Sequence, residues 1–208
     1  MELSLEDYYK ETDRVLRISK ELLSLETGWE PISISSKTVK AYRRPAAAGL
    51  YIIKAEGEIN RTPPEIVECL KDLDHKHLYD ASFDKGHIVK LLADDIGIVY
   101  QRFKAIWPTS GRDFCLLQRK IDLEEGAIVA VAVSTQHPEC PEVPECVRGV
   151  IHFGCHFMFP TGPNVTRMVY FLLLDVKGYI PAFVVNFTQS TQAMFVENLR
   201  IYLANNSN

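Results

Sequence analysis

The chain has 208 residues, 47% hydrophobic and 24% charged, a size and balance that suit one domain burying its core without staples. A net charge of −4 with no local run of Lys or Arg excludes an electrostatic footprint for nucleic acid. The five cysteines (Cys69, Cys115, Cys140, Cys146 and Cys155) are odd in number and lack framework spacing, which favours reduced thiols in the cytosol.

The acidic start, MELSLEDYYKETD, has neither the basic nor the apolar part of a secretory signal, and no stretch is apolar enough to span a bilayer. The sequence therefore reads as a single domain, residues 1–208, of cytoplasmic location. Residues 3–26 form an amphipathic pattern that turns Leu16, Leu22, Leu23 and Leu25 to the core, with Gly28 as a stop. Glu30–Ser35 and Thr38–Arg43 alternate as strands around Ser36-Lys37, and Tyr51–Asn60 is a third strand. Thr62-Pro63-Pro64-Glu65 then starts a helix with a hydroxyl cap, prolines where no N–H is needed and an early acid. That helix is expected to reach about Leu73, followed by a short irregular or helical piece, His75–Tyr79.

Six strands follow: His87–Leu92, Gly97–Ile106, Arg112–Asp122, Ala127–Ser134, Cys146–Phe159 and Val165–Asp175. Turn chemistry joins them, at Asp94-Asp95, Pro108–Gly111, Glu124–Gly126, the proline-rich 138–144 loop and Thr161–Asn164. The chain ends in GYIPAFVVNFTQSTQAMFVENLRIYL, Gly178–Leu203, which reads as one long helix. It carries no charge between Lys177 and Glu197. Too polar to cross a membrane and too uncharged for a wet surface, such a helix suits a position with protein on one side and a semi-polar cavity on the other. Short links between consecutive strands give an antiparallel sheet of about nine strands with helices to one side, an α+β fold. The last helix alone is long enough to fill a strongly curved sheet.

If Gln101 faces that helix, the same face of its strand carries Val99, Phe103 and Ala105, and on the strand after Gly126 the Ile128, Ala130, Ala132, Ser134 face offers small side chains. Small residues there leave either close helix packing or room for a ligand. No nucleophile elbow, phosphate loop, dinucleotide fingerprint or HExxH occurs. His75-x-His77 and His152-x-x-Cys155-His156 lack zinc spacing; a regular strand would put His152 and His156 on one face. No metal or cofactor is expected. Trp107, at a strand end on the Trp107-Pro108-Thr-Ser-Gly111 loop, is either a packed rim residue or a membrane-interface residue, and Tyr179 has the same two readings. Arg112-Asp113 is expected to anchor this loop.

The run Leu91–Gln101, then Lys104-Ala-Ile-Trp-Pro108 and Gly111-Arg-Asp-Phe114, resembles the START (steroidogenic acute regulatory protein-related lipid transfer) domains. Cys146-Val-Arg-Gly149 and Asp175-Val-Lys-Gly-Tyr-Ile-Pro181 resemble them too, so that the likeness covers essentially the whole chain. It implies a helix-grip fold, a curved antiparallel sheet around the C-terminal helix, with a tunnel for one lipid. The middle of the chain is most similar to the ceramide-transfer branch, and the 137–144 loop with Val147-Arg-Gly149 to the small cytosolic sterol-binding members. The resemblance implies a lipid head-group set of Asp80, Gln101 and Tyr170, with Ala132 in place of the asparagine of the ceramide branch and Lys76 in place of an arginine. Spacing alone makes Lys76 and Asp80 a helical ion pair.

The cavity lining implied is Val99, Phe103, Phe114, Leu116, Gln118, Ala130, Ala132, Phe187, Thr191 and Met194. Trp107, Pro108 and Tyr179 stand where the family has a membrane gate. The resulting expectation is a non-enzymatic monomer at the periphery of membranes, with one ceramide, sterol or phospholipid as ligand and transient contact with a membrane surface. Two other readings stay open. One is a cavity enzyme of the helix-grip superfamily, with Asp80 or His152 as base. The other is a lipid-sensing module acting through a partner protein.

Overall fold

The computed structural model describes residues 3–178 and 180–206. The first helix, α1 (Leu5–Leu23), starts at a capping box in which Ser4 and Asp7 exchange hydrogen bonds. Tyr8, Thr12, Val15, Ser19 and Leu22 form its buried stripe at helical spacing. It stops five residues before Gly28, and Leu25 is exposed rather than packed in the core.

The strands β1 (Glu30–Ile32), β2 (Lys40–Pro45) and β3 (Tyr51–Ile59) precede α2 (Pro63–Lys71), which opens on the Thr62–Glu65 capping box. A 3₁₀ turn at Lys76–Leu78 falls within the piece, His75–Tyr79, expected to be irregular or helical. Then follow β4 (Phe83–Ala93), β5 (Ile96–Phe103), β6 (Gly111–Asp122), β7 (Ile128–Ser134), β8 (Cys146–Arg148), β9 (Val150–Gly162) and β10 (Val165–Asp175). The sheet runs β1-β2-β3-β10-β9-β7-β6-β5-β4 with antiparallel neighbours, and β8 pairs parallel with β6 off this path.

Ten strands stand where nine were expected, because Cys146–Phe159 is divided at Gly149. A side chain there would run into the ring of Phe114, so only glycine lets the chain pass. The short β8 is then held by Arg148, whose guanidinium grips the fully buried Asp113 at 2.9 and 3.0 Å and donates to the carbonyl of Pro141 at 2.8 Å. Asp113 thus anchors the 138–144 loop, while Arg112 donates to the carbonyls of Val176 and Lys177 at 3.0 and 3.1 Å and ties the Trp107 loop to the approach of the last helix.

The two faces of the sheet carry separate cores. α1 covers the outer face, over Ile98, Tyr100, Cys115, Leu117, Val131, Cys155 and Phe171. The inner face packs Ile53, Ala55, Met158 and Met168 against α2 and the end of the chain. The final helix is not one rod but two segments, α3 (Ala182–Ala193) and α4 (Phe195–Asn205), meeting at Met194, which keeps right-handed dihedrals. The chain's last turn is held by Arg61, which donates to the carbonyl of Leu203 at 2.5 Å.

Candidate functional site: a cavity beneath the C-terminal helix

A cavity of about 360 Å³ lies between the inner face of the sheet and the segments α2, α3 and the start of α4. Alternation along β5 turns Val99, Gln101 and Phe103 into it, and the register of β6 adds Phe114, Leu116 and Gln118. Ala130 and Ala132 of β7 stand beside them. From the last helix come Val184, Phe187, Thr188, Thr191 and Gln192. The small residues of β7 have therefore left room rather than drawn the helix in. Met194 is not part of the wall; it sits at the junction of the two helical segments.

Besides Gln118, Thr188, Thr191 and Gln192, the wall carries a buried ion pair. Lys76, on the 3₁₀ turn, is almost wholly buried, with its ammonium 3.6 Å from the Asp80 carboxylate. It lies 5.2–5.6 Å from the ring centres of Phe195, Tyr79 and Phe83. Asp80 also accepts from the Ser82 hydroxyl at 2.6 Å. Gln101 is buried and faces the same cavity, as does Tyr170. Burial first, and the Asp80 charge second, push the Tyr170 phenol up, so it remains a neutral hydroxyl. The four residues expected at the head group therefore line one cavity, with Lys76 and Asp80 in direct contact and Tyr170 within reach of the Asp80 charge.

Sequence reasoning missed two members of this group. The ring of His156 stacks on Tyr170 at 4.9 Å and lies 5.3 Å from Phe195, which in turn is 5.1 Å from Tyr170. Such surface as His156 retains lies on the cavity side, not toward bulk water. Burial, and then the nearby Lys76 charge, lower its pKa to about 3, so it is neutral at physiological pH. His152 is elsewhere: the register of β9 against β10 skips it, leaving it exposed while Ile151 and Gly154 both face the cavity. The two histidines therefore do not share a face. Among the described residues no group of three or more His, Cys, Asp or Glu could hold a metal.

Of the expected gate, Trp107 is 87% exposed and Pro108 is exposed, following a cis Trp107–Pro108 bond. Their neighbours Ile106, Thr109 and Ser110 line the cavity mouth. Phe183 and Phe187 on α3 are exposed as well. Tyr179 lies outside the described residues. No described helix is long and apolar enough to cross a membrane. A separate depression beside α4 is lined by Thr38, Glu56, Arg167 and Arg200. Its guanidiniums already pair with carboxylates, Arg167 with Glu56 and Arg200 with Glu197.

A sheet gripping a C-terminal helix over a cavity is the arrangement that the sequence motifs implied, and a profile of the START domain matches residues 12–207. The chain belongs to the START domain family. This START domain is 32% identical over 189 residues to StAR-related lipid transfer protein 5 of Bos taurus, covering 84% of this chain and 85% of the bovine one. The Mus musculus protein of the same name is 28% identical, with 90% of each chain covered. Among solved structures, human StAR-related lipid transfer protein 5 superposes with a TM-score of 0.88 at 24% identity, over 97% of this chain and 99% of that one. Human STARD10 gives 0.80 at 20% identity, over 99% and 82%. These two likenesses concern the fold.

Proposed function

We propose that this START domain binds one lipid in the cavity beneath α3 and carries it through the cytosol from one membrane to another. The observation that carries the reading is the cavity itself. It has a mainly apolar wall of a volume usual for ligand sites, with the buried Lys76–Asp80 pair, Gln101 and Tyr170 among its lining residues. In this reading Asp80, Gln101 and Tyr170 hold the lipid's polar head, and Lys76 fixes the Asp80 carboxylate. Hydrocarbon burial supplies the affinity, at about 0.8 kcal/mol per methylene. A ceramide, with an amide and two hydroxyls, or a sterol with one hydroxyl and ordered water, can satisfy these groups, each of which would forfeit roughly 1–3 kcal/mol if left unpaired. The ceramide and sterol readings lead, and a phospholipid is third. The exposed Trp107 loop and the aromatic face of α3 form the gate that meets the membrane, transiently and as a monomer. The relatives named as lipid transfer proteins support carriage over catalysis.

The test is native mass spectrometry with lipid extraction after incubation with mixed-lipid vesicles. One ceramide or sterol per chain is the expected result, and the identity of the lipid decides between them. A protein that takes up nothing from any vesicle contradicts lipid carriage and favours an enzyme or a partner-binding module.

A further inference from the structure

Residues that both line the cavity and face solvent mark its openings, and here they fall into two groups. One surrounds the Trp107 loop and α3, with Lys104, Ser110 and Phe187. The other lies on the edge strand β4, where Ile88 is 54% and Leu91 71% exposed, facing Leu70 and Leu73 at the end of α2. Ile88 pairs with Val99 and Leu91 with Gly97, and the first group begins beyond Phe103, so about 13–20 Å of β5 separates the two at the usual strand rise. The Lys76 turn lies near the first group, reaching Phe195 at the start of α4 on one side and Phe83, which pairs with Phe103, at the start of β4 on the other. From the Lys76–Asp80 pair at this turn the cavity continues along β4 to Ile88 and Leu91.

Exposed isoleucine and leucine on an unpaired sheet edge are a liability that proteins normally blunt with charge. Here they continue the wall of a cavity, which gives them a use. We propose that the cavity has a second mouth between the edge strand β4 and the end of α2, which receives the far end of the ligand's hydrocarbon, and that Leu91, Ile88 and Leu73 set the length of chain accepted. The wall at this end is apolar at Ile88, Leu91, Leu70 and Leu73, with Gln118 opposite Gly97 and the charges of Lys71 and Asp94 at the rim, and a chain end lying against Leu91 and Ile88 shields them from water. The inference rests on lipid carriage as proposed above.

The experiment loads the full chain from phosphatidylcholine vesicles containing either of two photoreactive probes. One is an N-acyl sphingosine with a diazirine at the acyl terminus, and the other a sterol with a diazirine at the end of its side chain. Irradiation and peptide mapping then locate the adduct. The expected result is an adduct on the peptide that contains Ile88 and Leu91, or on that containing Leu70 and Leu73. In parallel, Leu91→Asp is expected to reduce uptake of long-chain relative to short-chain N-acyl sphingosines by about tenfold, the effect of exposing two methylenes. Uptake with adducts confined to the Trp107 loop and α3 overturns the second mouth and leaves lipid carriage standing. Absence of uptake of either probe by the unmodified protein overturns the ceramide and sterol readings and, with them, this second mouth.

Discussion

The two segments of the C-terminal helix share one run of sequence and have opposite surroundings. α4 buries Phe195, Val196, Glu197, Leu199 and Leu203 against the inner face of the sheet. Its one buried acid, Glu197, receives both guanidinium N–H groups of Arg200 at 2.8 Å, and its C-terminal turn is held by Arg61. α3 has no charged side chain, leaves Phe183, Val185 and Phe187 exposed, and turns Thr188, Thr191 and Gln192 toward space rather than toward packed atoms. Its threonine hydroxyls are satisfied within the helix, by the carbonyls of Val184 and Phe187. Stability in a protein is local, and a helix over a void with few buried contacts opens at lower free energy than one fixed in a core. In the proposed reading, α4 is the anchor and α3 a cover that a membrane or ligand displaces.

Substitutions in the two segments separate these parts. Leu199→Ala, in the wholly buried part of α4, is expected to lower unfolding free energy by roughly 2–5 kcal/mol in urea titrations, whereas Phe187→Ser on α3 changes it by no more than about 0.5 kcal/mol. Equal losses at the two sites would break the comparison.

Acid gives a second, smaller separation. His156 beneath the junction is neutral when folded, with a pKa lowered from 6.5 to about 3, so the unfolded chain binds the extra proton in between. Stability from this source is complete above pH 6.5 and declines as pH falls toward 3. Glu197 is held below its ordinary value of 4.5, chiefly by Arg200, so its contribution is present above that value and is lost at lower pH as the folded carboxylate takes a proton. His156→Gln should therefore flatten the stability profile between pH 6.5 and 4.5, while Glu197→Gln alters it only below. The Glu197→Gln variant should also lose roughly 1–3 kcal/mol at neutral pH, the scale of a charged hydrogen-bonded pair. A profile unchanged by His156→Gln would contradict the neutral, buried state of that ring.

The smallest expected effect on stability is at the loop. Trp107→Ala should alter unfolding by less than about 0.5 kcal/mol, because the side chain is exposed. It should nevertheless slow lipid transfer between vesicles without weakening binding in solution. Unchanged transfer would remove Trp107 from the gate.

Most of the architecture was legible because periodicity reports it: the change from helical to alternating spacing, the Thr62–Glu65 cap and the turn residues all lie within a few positions of each other. What escaped depends on distant contacts. The break at Gly149 is set by the ring of Phe114, thirty-five positions earlier, and the skipped His152 depends on the pairing of β9 with β10. That one irregularity defeats any inference from alternation and placed His152 and His156 wrongly on one face. The two-residue period grouped Gln101 with Val99 and Phe103, and the family resemblance implied that this face looks into the cavity. His156 and Phe195 were missed as partners of Tyr170, because only the β9–β10 register and the return of the last helix bring them together. The division of that helix at Met194 had no signal in propensity, and Met194 itself keeps right-handed dihedrals.

The most direct test of the account is hydrogen exchange along the last helix, measured on the lipid-free protein and again after loading from vesicles. The account predicts that amides of α3 exchange much faster than those of α4 in the empty protein, and that loading protects α3 and the Gln101 strand while leaving α4 unchanged. Equal protection of the two segments when empty, or protection on loading that spares α3, would contradict a lipid held beneath it.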